Sequence, residues 1–345
     1  MSDISISSKR SLVNKVVIVD GQPGCGKTML SPVISSFRRV ELMSYIYELE
    51  FIGILFKLKK ITKDATLGLI KTLIDLKIYN TMMGRDTNFR YSDLSSVYRY
   101  RNPQQYFTRL FDKDDESVPK RISKEKPILN INTHNSLNVA ETLFEALSDK
   151  LIFVEVVRHP LYMLRQQTLN MENLKNTRDF NFYYNKNGIE YPSFAYGWEL
   201  KYKKYKPVEK AIYSMFLQTA ESDRIRKKIL KKYNKNFISV SFERFVLQPS
   251  NYLNKLKKLI GTKFSKDTES ILYEQRIPRT KIADGIPLPI YEKRGWDPAK
   301  KNKTEREELD LRRNFAVKKL ASKPLLSLLD KLSSDYEKKH LKDLI

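Results

Sequence analysis

Gly21-Gln22-Pro23-Gly24-Cys25-Gly26-Lys27-Thr28 is the stretch that decides the fold. It follows the apolar run Val16-Val17-Ile18-Val19 after Asp20 and leads into a helix-like segment beginning Met29-Leu30. The spacing G-x-x-x-x-G-K-[ST] has a mechanical reason. Glycines let successive backbone N–H groups turn inward around phosphate oxygens, a lysine reaches the terminal charged group, and a threonine offers its hydroxyl. The helix that follows points its positive end at the same anion. With strand, loop and helix in the required order, Gly21, Gly24, Cys25, Gly26, Lys27 and Thr28 are expected to hold a phosphorylated nucleotide. Which group is moved does not follow from the loop alone.

Working outward, four short apolar runs have the look of parallel strands buried on both faces: Val16 to Val19, Ile128 to Ile131, Leu151 to Val157 and Phe237 to Val240. Long helical patterns separate them. That alternation predicts an α/β class, a three-layer P-loop fold with a parallel sheet flanked by helices, helical insertions and a helical C-terminal tail. Ligands of such sheets sit at the carboxyl ends of the strands. The residues to watch are therefore the phosphate loop, Asn132-Thr133-His134-Asn135, Arg158-His159-Pro160 and Ser241-Phe242-Glu243-Arg244. Glu155, mid-strand, is expected to point into the sheet, and His159 to be flanking structure.

The body around these strands is large enough for a sizeable core. At 345 residues and 41% hydrophobic content the chain fits one substantial α/β domain with elaborations or two modest ones. A net charge of +24 and a pI near 9.7 imply attraction to polyanions, whether nucleotides, nucleic acid, acidic glycans or anionic membrane surfaces. The lysines are spread along the whole chain, which fits a lysine-rich background equally well. Cys25 is the single cysteine, which excludes an intramolecular disulfide and a cysteine-based zinc cluster. No run of about 20 apolar residues exists, and Met1 to Asn14 is polar, so the expectation is a cytoplasmic chain without a transmembrane segment. Tyr45 to Phe56, broken by Glu48 and Glu50, predicts an amphipathic or buried helix.

Thr62 to Leu76 is helical in pattern, Gly84 to Arg101 has the composition of a loop or lid, and Pro103 to Lys126 is strongly charged and expected to be exposed. From Phe180 to Tyr205 the chain is crowded with aromatics, among them Tyr183, Tyr184, Tyr191, Phe194, Tyr196, Trp198, Tyr202 and Tyr205. Such rings can floor a sugar or base site, but half-buried packing is the commoner use. Asn302 to Leu341 reads as charged helices interrupted near Pro324.

Together these elements resemble the sulfotransferase branch of the P-loop fold, which uses 3′-phosphoadenosine 5′-phosphosulfate (PAPS) as donor. Val16 to Thr28 resembles that family's 5′-phosphosulfate loop. Asn132-Thr133-His134 is similar to its Lys-Thr-His segment, in which the histidine is the base. Leu151 to Pro160 resembles the strand ending in V-R-x-P, whose arginine binds the donor's 3′-phosphate. Ile238 to Phe245, then Pro249 and Leu259-Ile260-Gly261, resemble the Y-E-D-L, D-P and F-L-G succession. Lys293-Arg294-Gly295 resembles the short basic segment that closes over the 3′-phosphate.

The resemblance implies a sulfotransferase-like domain over residues 1–300, with 84–126 and 170–205 as insertions or lid, and a charged helical tail over 301–345. It implies His134 and Lys27 as catalytic residues and Arg158, Gln166, Arg294 and Gly295, with the loop, as the PAPS contacts. Gln166 stands where the family has a serine, and an amide also donates to phosphate. The acceptor is a hydroxyl group, with a carbohydrate favoured by the aromatic segment and tyrosine or small alcohols left open. No specific nucleic-acid partner and no metal are implied. Gly24 and Lys27 depart from the family's loop in the direction of nucleotide kinases, so an ATP-dependent kinase or NTPase with Mg²⁺ stays open. A non-catalytic nucleotide- or polyanion-binding protein is the third possibility.

Overall fold

A computed structural model describes residues 4–7, 11–100, 102–112, 115–176, 179–300, 302–342 and 344. Parts of the polar N-terminus (1–3, 8–10) and of the expected tail (301, 343, 345) lie outside the described residues. The strands are β1 (Lys15–Asp20), β2 (Ser44–Tyr45), β3 (Ile128–Asn132), β4 (Leu151–Val157), β5 (Tyr183–Lys186), β6 (Ile189–Pro192) and β7 (Phe237–Ser241). Five of them form one sheet in the order β2-β3-β1-β4-β7, and β5 and β6 form a separate antiparallel hairpin. Every pairing in the main sheet is parallel, with Val17 of β1 opposite Asn130 of β3 and Ile152 of β4. All four expected strands are present within a residue at each end. β2 was not legible in the sequence because two residues, Ser and Tyr, make no apolar run.

Helices cover both faces. Up to β4 they are α1 (Lys27–Ser35), α2 (Tyr47–Lys57), α3 (Lys63–Met83), α4 (Gln104–Arg109), α5 (Val118–Glu125) and α6 (Ala140–Leu147). Beyond it come α7 (Pro160–Glu172), α8 (Glu199–Lys204), α9 (Pro207–Tyr233), α10 (Phe242–Leu247), α11 (Pro249–Ile260) and α12 (Thr268–Glu274). The last three are α13 (Pro289–Lys293), α14 (Glu305–Lys318) and α15 (Lys323–Tyr336). The strand side chains alternate between two cores, as the pleat requires. Val17, Val19, Ile152 and Val154 join Leu30, Ile34, Leu164 and Leu256 on one face. Val16, Ile18, Leu129 and Phe153 join Ile70, Ile74, Ile78 and Phe144 on the other. The result is the three-layer α/β arrangement, and each fully buried Val, Leu or Ile adds about 1.5–3 kcal/mol of apolar burial.

Local signals explain where the elements stop. Thr62 caps α3 by accepting from Ala65 N at 3.4 Å, and Gly84 ends it with a positive φ of 79°. Ile70, Ile74 and Ile78, four residues apart, give that helix its buried stripe. The charged stretch 103–126 is largely exposed, as expected, but Tyr106, Arg109, Val118 and Ile122 are buried in it. Composition shows the charges there but not the carboxylate, Glu41, that takes Arg109 out of water. At the C-terminal end, Leu309 and Ala316 of α14 and Leu325, Leu329 and Leu332 of α15 lie in the same core as Val17 and Val19. Among the described residues no helix is long and apolar enough to cross a membrane.

Candidate functional site

The loop between β1 and α1 is shaped by close approach. Gly24 and Gly26 have φ of 88° and 101°, the left-handed region in which a side chain is strained. A Cβ on Gly26 would lie 2.2 Å from the Phe242 ring, and one on Gly21 would lie 2.4 Å from Val156 O. The loop is thus pressed against the ends of β4 and β7. Lys27 is buried, and its Nζ donates to Gly21 O at 2.6 Å and Gln22 O at 3.2 Å. Among the described residues no carboxylate forms an ion pair with it, so its charge is available to an anion on the loop. Gln167 Nε2 braces the loop from α7 by donating to Pro23 O at 2.9 Å.

Asp20, at the end of β1, ties this loop to the next. It accepts from Thr133 Oγ1 (2.8 Å), Ser136 N (2.8 Å) and Leu137 N (2.9 Å). Burial pushes its pKa above the ordinary carboxylate value, while Lys27 and these donors pull the other way. The bend so fixed, with Asn135 at φ 60°, presents His134 at the carboxyl end of β3. His134 is partly exposed, stacks on Tyr45 (6.3 Å between centroids, 8° between planes), and has Nδ1 3.1 Å from Glu50 Oε1. Its backbone N donates to the same oxygen at 3.0 Å.

On the other side of the loop, β4 ends at Arg158. Its Nη1 donates to Gly24 O at 2.9 Å, its guanidinium carbon lies 4.0 Å from the Phe242 ring centroid, and its buried Nε has no partner. Arg279 lies 5.5 Å from that ring centroid. Neither arginine has a carboxylate ion-pair partner among the described residues. Desolvation lowers the pKa of Arg158, with Glu243 opposing, and lowers that of Arg279 to about 10, with the Arg158 charge adding to it. Glu243 is itself occupied: it accepts from His159 N at 2.9 Å and lies 2.6 Å from the Tyr336 hydroxyl. His159 is buried, with Nδ1 accepting from Leu161 N at the start of α7 and Nε2 3.2 Å from Glu337. Glu155 is buried mid-strand and pairs with Arg226 of α9 at 2.5 and 2.7 Å and with its cross-strand neighbour Ser239, the internal role its place suggests.

These groups meet in one cavity of about 730 Å³. Gly24, Gly26, Lys27, Thr28, His134, Arg158, Gln166 and Arg294 all line it. Gly21 and Cys25 do not reach the wall. Cys25 is buried beneath the loop and its N–H is taken by Gln22 O at 3.1 Å, so its part is to shape the turn. Gly295 lies just off the wall, where a Cβ would come within 2.9 Å of Arg165 Cγ. The segment carrying Arg294 also brings Tyr291 to the wall of the same cavity, where desolvation raises the phenol's pKa above its ordinary value. Glu50, Tyr45, Arg279 and Tyr291 were missed. Glu50 could have been suspected, because Tyr47, Glu50, Phe51 and Ile54 recur at helical spacing and all line the cavity. Nothing in the sequence marks Arg279 among so many basic residues.

No family model and no curated protein matches the chain. Solved structures do match. The sulfotransferase domain from the curacin biosynthetic pathway gives a TM-score of 0.45 at 12% identity, covering 94% of this chain and 98% of that one. The sulfotransferase domain from the Synechococcus PCC 7002 olefin synthase gives 0.39 at 13%, over 91% and 97%. A sulfotransferase from Mycobacterium avium gives 0.40 at 10%, over 96% and 77%. All three are sulfotransferases. At such identities no residue role passes from them to this chain, and what it binds has to be read from the cavity.

Proposed function

We propose that the chain is a sulfotransferase that moves a sulfuryl group from PAPS to a hydroxyl acceptor. The observation that supports this best is Arg158: a desolvated guanidinium with an orphaned Nε, held beside a phosphate loop and paired with no carboxylate. An unpaired buried cation is costly unless a ligand supplies the anion. A phosphate loop accounts for one anionic group, and Arg158 with Arg279 calls for a second, which suits a donor carrying a 3′-phosphate besides its 5′-phosphosulfate. Phe242 lies under both guanidinium groups and at the wall, and so holds the two charges beside the loop.

Bound PAPS would supply the sulfuryl group and, as the new S–O bond forms, a bisphosphate leaving group. Lys27, Thr28 and the loop N–H groups would stabilise the negative charge on the sulfonate and departing phosphate oxygens. Arg158, Arg279 and Arg294 would select the 3′-phosphate through charge-assisted contacts. Gln166 would add an amide donor. His134 would accept the proton of the acceptor hydroxyl.

Only part of the aromatic segment is open to an acceptor. Tyr191 and Trp198 are buried against one another's neighbours, with Tyr184, Tyr202 and Tyr205 packed on them. The cavity wall near Glu50 is instead supplied by Phe51, Ile54, Phe180, Phe182 and Phe194, with Phe51 and Phe182 in contact at 5.7 Å. This supports a hydroxyl carried on an apolar body over an extended carbohydrate.

The kinase alternative draws on Lys27-Thr28. Against it, Asp20 at the end of β1 and Glu243 just beyond β7 are each hydrogen-bonded elsewhere, and mid-strand Glu155 is paired with Arg226. Calorimetric titration with 3′,5′-bisphosphoadenosine, ATP and ADP, with and without Mg²⁺, separates the two. Metal-independent preference for the bisphosphate is expected; Mg²⁺-dependent preference for ATP would sink the sulfotransferase reading.

A further inference from the structure

We infer that Glu50 is the positioning residue that fixes which nitrogen of His134 faces the cavity, an inference that rests on the reading of His134 as base. One carboxylate oxygen, Oε1, lies 3.0 Å from the His134 backbone N and 3.1 Å from its Nδ1. A carboxylate accepts and does not donate, so the proton of the neutral imidazole sits on Nδ1. That leaves the Nε2 lone pair free to take a proton. A free imidazole favours the opposite tautomer, with the proton on Nε2, in which a base facing the acceptor through Nε2 is blocked.

The structure builds this contact deliberately from both sides. Glu50 lies on α2, whose Leu49 and Ile52 are buried in the core while Tyr47, Glu50, Phe51 and Ile54 form the cavity face. The helix is thereby held at a rotation that directs the Glu50 Cβ to the cavity face, and the backbone N–H of His134 holds the carboxylate there. His134 is held by the Asp20 bend on one side and by the Tyr45 ring stacked on it on the other. Because the backbone N–H of residue 134 can only donate, it forces an acceptor atom into the place where Oε1 sits. That requirement separates two substitutions that would otherwise look alike. In Glu50→Gln the amide oxygen is drawn to the backbone N–H and still accepts from Nδ1, so the tautomer survives with the charge removed. In Glu50→Ala both are lost.

The test reads the tautomer directly. The chain has three histidines, so a long-range proton–nitrogen correlation spectrum of wild type and of His134→Asn assigns the His134 ring by subtraction. Wild type and Glu50→Gln should be protonated on Nδ1, and Glu50→Ala should move to Nε2. Turnover of PAPS should order the same way: Glu50→Gln within about tenfold of wild type, Glu50→Ala down on the order of 10²-fold in kcat. The acceptor KM and the bisphosphate Kd should stay within about twofold, because neither contact is to a bound phosphate. An Nε2-protonated His134 in wild type overturns the inference, and that measurement needs no variant to fold. So does a Glu50→Ala enzyme with full kcat, or one whose loss lies wholly in KM and Kd, which marks a packing role. If wild type neither binds the bisphosphate nor turns over PAPS, the sulfotransferase reading falls alone. A tautomer that still depends on Glu50 would then show that the positioning contact survives it.

Discussion

Arg109 is buried and Arg158 is half-buried at the cavity wall, and they are treated in opposite ways. Arg109 meets Glu41 in a two-pronged pair, Nη1 to Oε2 at 2.8 Å and Nη2 to Oε1 at 3.0 Å, with the Tyr106 hydroxyl 2.9 Å from the same carboxylate. Despite the cost of burial, that pairing holds its pKa above the usual arginine value. Arg158 has a backbone carbonyl, two aromatic faces and an orphaned Nε, and its pKa is lowered. The fold can supply a matched carboxylate where it wants a cation neutralised. Leaving one unmatched at the edge of a phosphate loop is therefore a statement about what should arrive there.

The strongest way to break the comparison is on the closed side. Arg109→Met should strand Glu41 and cost about 3–5 kcal/mol in urea unfolding, with bisphosphate affinity in the surviving folded protein unchanged. On the open side, Arg158→Met should weaken 3′,5′-bisphosphoadenosine by roughly 10–100-fold in calorimetry, as for loss of a charge-assisted hydrogen bond. ATP binding should change far less and stability by under about 1 kcal/mol. Equal loss for every nucleotide would remove the assigned role.

A third arrangement sharpens the contrast, because a base can also be buried neutral. The pKa of His340 is lowered from 6.5 to about 4 by burial, with Lys339 and Arg226 adding to it. The unfolded chain then takes up a proton near pH 6.5 and the folded protein only near 4, so stability falls as pH drops through that window. His340→Gln should give a shallower stability profile between those values by chemical denaturation. The smallest effect belongs to Arg294, which is exposed and makes one long contact of 3.4 Å with Asn170. Arg294→Ala should weaken the bisphosphate by only about two- to fivefold, more at low salt than at high.

Much of this was legible in the chain because it is local. The loop, the four apolar runs and the polar residues that follow each run place Lys27, His134 and Arg158 at one edge of the sheet, and the cavity brings them together. What was not legible is pairing over distance. Glu50 is 84 residues from His134, and nothing in the spacing of either announces the other. Arg279 becomes special only because Phe242 and Arg158 lie beside it. The aromatic segment divides for the same reason: ring composition does not say which rings spend their faces on one another and which, like Phe180, Phe182 and Phe194, line the cavity.

Phe242 carries one further consequence. Its ring leaves no room for anything but hydrogen at Gly26, and the Arg158 guanidinium lies on it at 4.0 Å. Loop and arginine therefore bear on one ring, Gly26 at its Cδ2–Cε2 edge and Arg158 over its centre. A change in ring size at position 242 would therefore be felt at positions 26 and 158 together, so the three would have to be exchanged as one cassette.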